Sequence, residues 1–193
     1  MGSLVMAAKN FHRRSIRFKG RDYTTPGIYF VTICSADGSN IFGRVNDGTV
    51  VENRLGRLVR ARWLEIPRHF ANVELDAFVV MPNHVHGLIH LRKTGAPAVD
   101  RFAASPSKER QEEFRKPVPT SLATVVRTFK AAVTRDARRI LSKPGKALWQ
   151  RSYYERVVRD GKEYADTYRY ICENPMRWDA DMENLAIKRA HRG

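Results

Sequence analysis

Apolar and polar positions along the chain follow two periods, and each change of period marks an element. Residues 28–34 (IYFVTIC) form a β-branched and aromatic run after a Pro-Gly turn, the pattern of a buried strand. Residues 41–53 (IFGRVNDGTVVEN) place two short runs around Asn46-Asp47-Gly48, a strong hairpin signal. The period then lengthens. Leu55, Leu58, Val59, Arg62 and Ile66 fall at helical spacing over 54–66, and Pro67 is expected to stop that helix. Residues 72–82 (NVELDAFVVMP) return to strand character, Pro82-Asn83 makes a turn, and 84–91 (HVHGLIHL) runs back antiparallel.

Residues 93–119 lose clear periodicity and are rich in Pro, Ala, Ser and charge, so an exposed insertion is expected there. A long helix follows, capped by Thr120 or Ser121. Leu122, Val125, Val126, Phe129, Val133, Ala137 and Ile140 form its apolar stripe. Residues 147–160 read as a further strand, and 161–175 as a helix ended by Pro175. The order is strand, hairpin, helix, strand, strand, long helix, strand, helix. It predicts a single α+β domain, a ferredoxin-like sandwich whose central antiparallel sheet carries helices mainly on one face.

Within this frame one strand is unusual: the nearly apolar stretch VVMPNHVHGLIHL carries three histidines. Alternation sends Val85, Gly87, Ile89 and Leu91 to one face, and His84, His86, Leu88 and His90 to the other. His84 and His86 stand about 7 Å apart by strand rise, close enough to share a metal ion. They are equally compatible with two packed core histidines. His90, about 13 Å beyond His86, lies too far along the strand to join the same ion.

The last helix adds candidate chemistry. Tyr164, Ala165, Tyr168, Ile171 and Cys172 are expected to form its apolar arc. Tyr170 falls off that arc, and Asn174 projects from the same side one turn later. If this helix lies across the sheet from the histidines, a tyrosine hydroxyl, two imidazoles and an amide oxygen converge. Glu173 is a rival third ligand, because a carboxylate suits hard cations better than an amide. Tyr168 is a rival nucleophile, set aside because it falls on the apolar arc.

Charge narrows the partner. The chain of 193 residues has 35 Lys and Arg against 20 Asp and Glu, a net charge of +15. Such an excess favours a polyanionic partner. It is clustered: Lys9, Arg13, Arg14, Arg17, Lys19 and Arg21 sit in an N-terminal region free of acids, with a basic arm over 10–21. Residues 120–159 hold ten basic side chains against Asp136 and Glu155. Of these, Arg127, Lys130, Arg135, Arg138 and Arg139 lie largely off the apolar stripe, and a basic tail covers 179–193. Clustered charge suits a nucleic-acid track, whose backbone phosphates these cations would hold. Two lone cysteines fit a reducing cytosol, and no uncharged apolar run reaches a membrane span, so a cytoplasmic protein without a membrane partner is expected.

Taken together, RRSIRFKGRDYTTPGIYFVTIC, VELDAFVVMPNHVHGLIHL, SLATVVRTFKAAVTR, LWQRSYYERVVRD and YRYICENPMRW resemble the REP-associated tyrosine transposases. These belong to the HUH single-strand nucleases, named for a His–hydrophobic–His motif, and the resemblance spans residues 13–178. It implies the same ferredoxin-like fold, with His84 and His86 as metal ligands and Tyr170 as the nucleophile. Asn174 would complete the metal shell. It also implies a divalent cofactor, Mg or Mn, and no nucleotide cofactor. The implied substrate is single-stranded DNA bearing a palindromic hairpin, cut through a 5′-phosphotyrosine intermediate.

Neighbouring families fit less well. A histidine-triad phosphohydrolase needs a third histidine where this chain has Leu88. Rolling-circle initiators typically carry Lys three residues after the tyrosine, where Glu173 stands, and relaxases usually place the tyrosine before the histidines. Two other classes remain open to the sequence: a non-catalytic nucleic-acid-binding module and a metal phosphoesterase that uses water. A monomer and a homodimer with shared sites are both compatible with it.

Overall fold

The computed structural model describes residues 25–93, 120–141 and 147–180. The basic arm with Arg13, Arg14, Arg17 and Lys19 lies outside them, as do nearly all of the expected insertion and of the basic tail.

Strand β1 (Gly27–Cys34) is buried on both faces over its middle six residues, as its unbroken apolar run requires. It pairs antiparallel with β5 (His84–Leu91) on one side and β6 (Tyr154–Val158) on the other. β4 (Val73–Val80) pairs with β5, giving the order β4-β5-β1-β6. The histidine strand is therefore internal, with every residue buried. A separate hairpin, β2 (Gly43–Asn46) and β3 (Thr49–Glu52), turns at Asp47 and Gly48 with φ of 48° and 68°. Positive φ at both positions is what a tight two-residue hairpin turn demands.

The two faces of the sheet have different covers. Val31, Ile33, Val85 and Ile89 meet α1 (Arg54–Leu64) and α3 (Leu122–Ala137) in the larger core. Gly87 is needed on this face: a Cβ there would stand 2.3 Å from Cζ2 of the fully buried Trp63 on α1. Ile28, Phe30 and Leu88 face the other way, under the hairpin, Ile171 of α4 (Gly161–Glu173) and Trp178. This is the expected α+β ferredoxin-like sandwich, with α1 and α3 together on one face and α4 crossing the other.

Helix starts follow side-chain capping. The Asn53 side chain accepts from the N–H groups of Leu55 and Gly56, Ser121 from Thr124, and Asp160 from Glu163. Four expectations shift. Pro67 does not end a helix: α1 stops at Leu64, and Pro67 sits in the first turn of α2 (Ile66–His69), where its missing N–H costs nothing. Ile140 lies past the end of α3. Only 154–158 of the segment 147–160 is strand. Before it, the Trp149 bridge to Ser35 and the Gln150 N–H to the Cys34 carbonyl tie the chain to the end of β1. Finally, the last α-helix ends at Glu173, just before Pro175, but the chain does not leave helical geometry there and continues as a 3₁₀ segment over Asn174–Ala180. Among the described residues no helix is long and apolar enough to cross a membrane.

Candidate active site

The pairing of β1 with β5 sets Thr32 opposite His86 and Cys34 opposite His84. The Thr32 hydroxyl lies 2.8 Å from His86 Nδ1. Asn83, immediately before the strand, donates Nδ2 to the Gly38 carbonyl at 2.9 Å. That leaves its Oδ1 to accept from His84 Nδ1 at 2.7 Å. Each imidazole is thus held at Nδ1 and turns its Nε2 toward the α4 side of the sheet, the orientation that metal-binding histidines use. The ring centroids are 4.3 Å apart and the residues are 0% and 3% exposed. Phe30 packs at 5.2 Å from the His86 ring, and Trp178 at 6.1 Å from that of His84.

α4 brings Tyr170 to this pair. Its hydroxyl lies 3.3 Å from His86 Nε2, and its ring meets Phe30 edge-on at 6.0 Å. The residue stays 38% exposed, so a large substrate has access to it. Asn174, four residues on, is 1% exposed, and among the described residues its Oδ1 has no hydrogen-bonding partner. A buried carbonyl oxygen left unsatisfied costs about 1–3 kcal/mol. A cation would repay that cost, and two imidazole nitrogens with an amide oxygen suit a divalent ion. The residues therefore fit the metal that the sequence implies.

The rivals fare worse. The Glu173 carboxylate is paired with Arg177. Among the described residues no three His, Cys, Asp or Glu side chains gather as a metal site. Tyr168 is 43% exposed, and its ring packs on Tyr164 at 6.2 Å, so the expected apolar arc does not hold. The buried residues of α4 are Thr167 and Ile171, while Cys172 is exposed. The reason lies in the sheet beneath, which offers imidazoles and a carboxylate to α4, so a hydroxyl and an amide are turned inward.

The cations of α3 lie elsewhere. α3 packs on the opposite face of the sheet from Tyr170. Arg127, Arg138 and Arg139 are exposed there, and Arg135 reaches Asp136 Oδ1 at 3.1 Å. Lys130 donates to the Gln150 carbonyl at 2.6 Å, and its burial lowers its pKa. It ties α3 to the chain entering β6 rather than standing free for a phosphate. Arg135, Arg138 and Arg151 line a groove of about 520 Å³ between α3 and that chain. Arg151, and the orienting pair Thr32 and Asn83, escaped the sequence reading. The only signal for Asn83 was its place directly before the first histidine.

Fold and site together define a class: an α+β sandwich whose internal strand presents paired histidines to a helix-borne tyrosine. No family model matches the chain. A Haemophilus influenzae protein known only as uncharacterised is 38% identical over 175 residues, 88% of this chain and 92% of that protein. A second protein of that organism, provisionally named a REP-associated tyrosine transposase, is 24% identical over 159 residues, 81% of this chain and 74% of its own length. The solved structure of a REP-associated tyrosine transposase bound to a REP hairpin superposes with a TM-score of 0.53 at 18% identity, covering 88% of this chain and 74% of that one. The chain belongs to one family with the first of these proteins, and it shares its fold with the solved transposase.

Proposed function

We propose that the protein cuts and rejoins single-stranded DNA beside palindromic hairpins, with Tyr170 as nucleophile. The observation that carries this reading is the Tyr170 hydroxyl 3.3 Å from Nε2 of a histidine pair held at both Nδ1 atoms. The Tyr170 oxygen attacks a backbone phosphorus and the P–O3′ bond breaks. The 5′-phosphate is left on the tyrosine and a 3′-hydroxyl is released. The phenolic proton lost is matched by the proton that the 3′-oxygen gains. Because a phosphodiester replaces a phosphodiester, the reverse attack by a 3′-hydroxyl rejoins strands without a nucleotide cofactor.

A divalent ion, Mg or Mn, held by His84, His86 and Asn174 would polarise the non-bridging oxygens of the phosphate when bound. Phe30 and Trp178 wall the histidine pair, keeping the nitrogens away from bulk water. Arg127, Arg135, Arg138 and Arg139 on the far face, with Arg13, Arg14, Arg17 and Lys19 of the basic arm, supply the phosphate contacts that hold the hairpin. The relative solved with a REP hairpin supports DNA of that kind as the substrate.

The test is denaturing electrophoresis of end-labelled single-stranded hairpin DNA after incubation with the protein and Mn. The expected result is a covalent protein–DNA band that both Tyr170→Phe and the double variant His84→Ala/His86→Ala lose. Cleavage without such a band, persisting in Tyr170→Phe, would assign the site to a water-using phosphoesterase. Tight binding of several hairpins with no cleavage would make the protein a binding module.

A further inference from the structure

The helix that carries Tyr170 and Asn174 is held to the sheet by little apolar burial. Of the thirteen residues of α4, only Thr167 and Ile171 are buried, and one of those is polar. What fixes its position is a set of directional contacts near its start, arranged on two sides.

On the β4 side the pin is Asp76. The β4–β5 register shifts between Leu75 and Phe78, and Asp76 lies within that irregularity. Its Oδ1 accepts from the Ala77 N–H at 2.9 Å, which orients the carboxylate. Its Oδ2 accepts the Tyr164 hydroxyl and stands 3.3 Å from Nε2 of His90, which is 7% exposed. The Tyr164 and His90 rings meet edge to face at 6.3 Å. His90, too far along the strand to serve the ion, thus has a defined place under α4.

On the β6 side the pin is Arg156. Its Nη1 lies 2.9 Å from Glu163 Oε1 and its Nη2 donates to Thr167 Oγ1 at 2.9 Å. The strand order β4-β5-β1-β6 puts these two pins on opposite edge strands of the sheet.

We propose that Asp76 and Arg156 are positioning residues: they form a two-sided polar clamp on α4 that sets the Tyr170 hydroxyl against His86. The inference rests on the reading of Tyr170 as nucleophile. Tyr170 lies six residues beyond Tyr164 and three beyond Thr167, so a small rotation of the clamped turn moves the hydroxyl off the histidine. Hydrogen bonds resist such a rotation because they weaken steeply with angle, whereas one buried isoleucine does not. Displacements of this size at a reacting atom slow chemistry more than binding.

Two readouts test the clamp. In single-turnover cleavage at saturating hairpin DNA, Tyr164→Phe and Arg156→Ala should each slow adduct formation at least tenfold, with the DNA Kd changed less than twofold. Tyr164→Phe combined with Asp76→Ala should be no slower than Asp76→Ala alone, because both break one pin. Rates equal to wild type in both single variants would overturn the proposal, as would losses confined to Kd. The second readout needs no activity: the ¹⁵N resonance of His86 Nε2, which senses the Tyr170 hydroxyl. Tyr164→Phe should move it toward its position in Tyr170→Phe, and an unmoved resonance would overturn the clamp. If the wild type forms no adduct, the nucleophile reading fails, and this resonance still decides whether the clamp sets Tyr170.

Discussion

Each imidazole of the pair takes its orientation from a side chain elsewhere in the chain: His86 from Thr32 across the strand pair, His84 from Asn83 at the turn. The Asn83 amide is itself fixed by the Gly38 carbonyl, so the order runs from a loop carbonyl to an amide to a ring. Such supporting bonds decide metal affinity nearly as much as the ligands do. Asn83→Ala should therefore weaken Mn binding by about 10–100-fold in isothermal titration calorimetry. Tyr170→Phe should do the opposite. With the His86 proton on Nδ1, the Tyr170 hydroxyl donates to the Nε2 lone pair, and a hydrogen bond worth about 1 kcal/mol competes with the ion for it, so its loss should tighten binding about fivefold. Equal affinities in all three proteins would mean that the ion is not held at these nitrogens.

At the scale of elements, the apolar patterns translated directly wherever an element buries an apolar stripe. β1 and β5 alternate as their residues indicate, and α3 buries Leu122, Val125, Val126, Phe129 and Val133 on one side. The His84–His86 pair and its shared face were legible for the same reason, since alternation in a strand depends only on the backbone. α4 was not. Its inward side is chosen by polar partners on the sheet, so hydrophobicity misplaced Thr167, Tyr168 and Cys172 while leaving Tyr170 and Asn174 on one side. The irregularity at Asp76 and the two-step helix around Pro67 are also tertiary outcomes, with no periodic signal.

The contact between α1 and α3 carries a pH dependence of its own. Asp136 Oδ2 lies 2.7 Å from Arg62 Nη2, and Arg62 also bonds Glu65. The hydrogen bond from Arg135, then the charge of Arg62, hold the Asp136 carboxyl below its ordinary pKa. A depressed folded-state pKa stabilises the fold above the unfolded value and loses that stability as pH falls through the folded one. Chemical denaturation should thus show wild type losing more stability than Asp136→Asn between neutral pH and about pH 3. An identical loss in both would remove Asp136 from the acid response.

Across the whole molecule, the sheet separates two kinds of surface. One side bears the histidines, Tyr170 and the clamped α4; the other bears the exposed arginines of α3 and the groove of about 520 Å³ beside Arg151. The net charge of +15 gives the molecule a long-range attraction for polyanions, while the proposed chemistry falls at one small site. A DNA strand engaged on both sides has to pass an edge or an end of the sheet. The end where Gln150 bonds Cys34, opposite His84, is where the α3 groove and the histidine pair come nearest in the chain's connectivity.

The central claim is that Tyr170 itself takes the DNA phosphate. Its most direct test is peptide mass spectrometry of the protein after reaction with hairpin DNA and nuclease trimming. The account predicts a residual 5′-linked nucleotide on Tyr170, absent when the histidine pair is replaced by alanine. The same adduct on Tyr168, or cleaved DNA with no modified tyrosine, would contradict it.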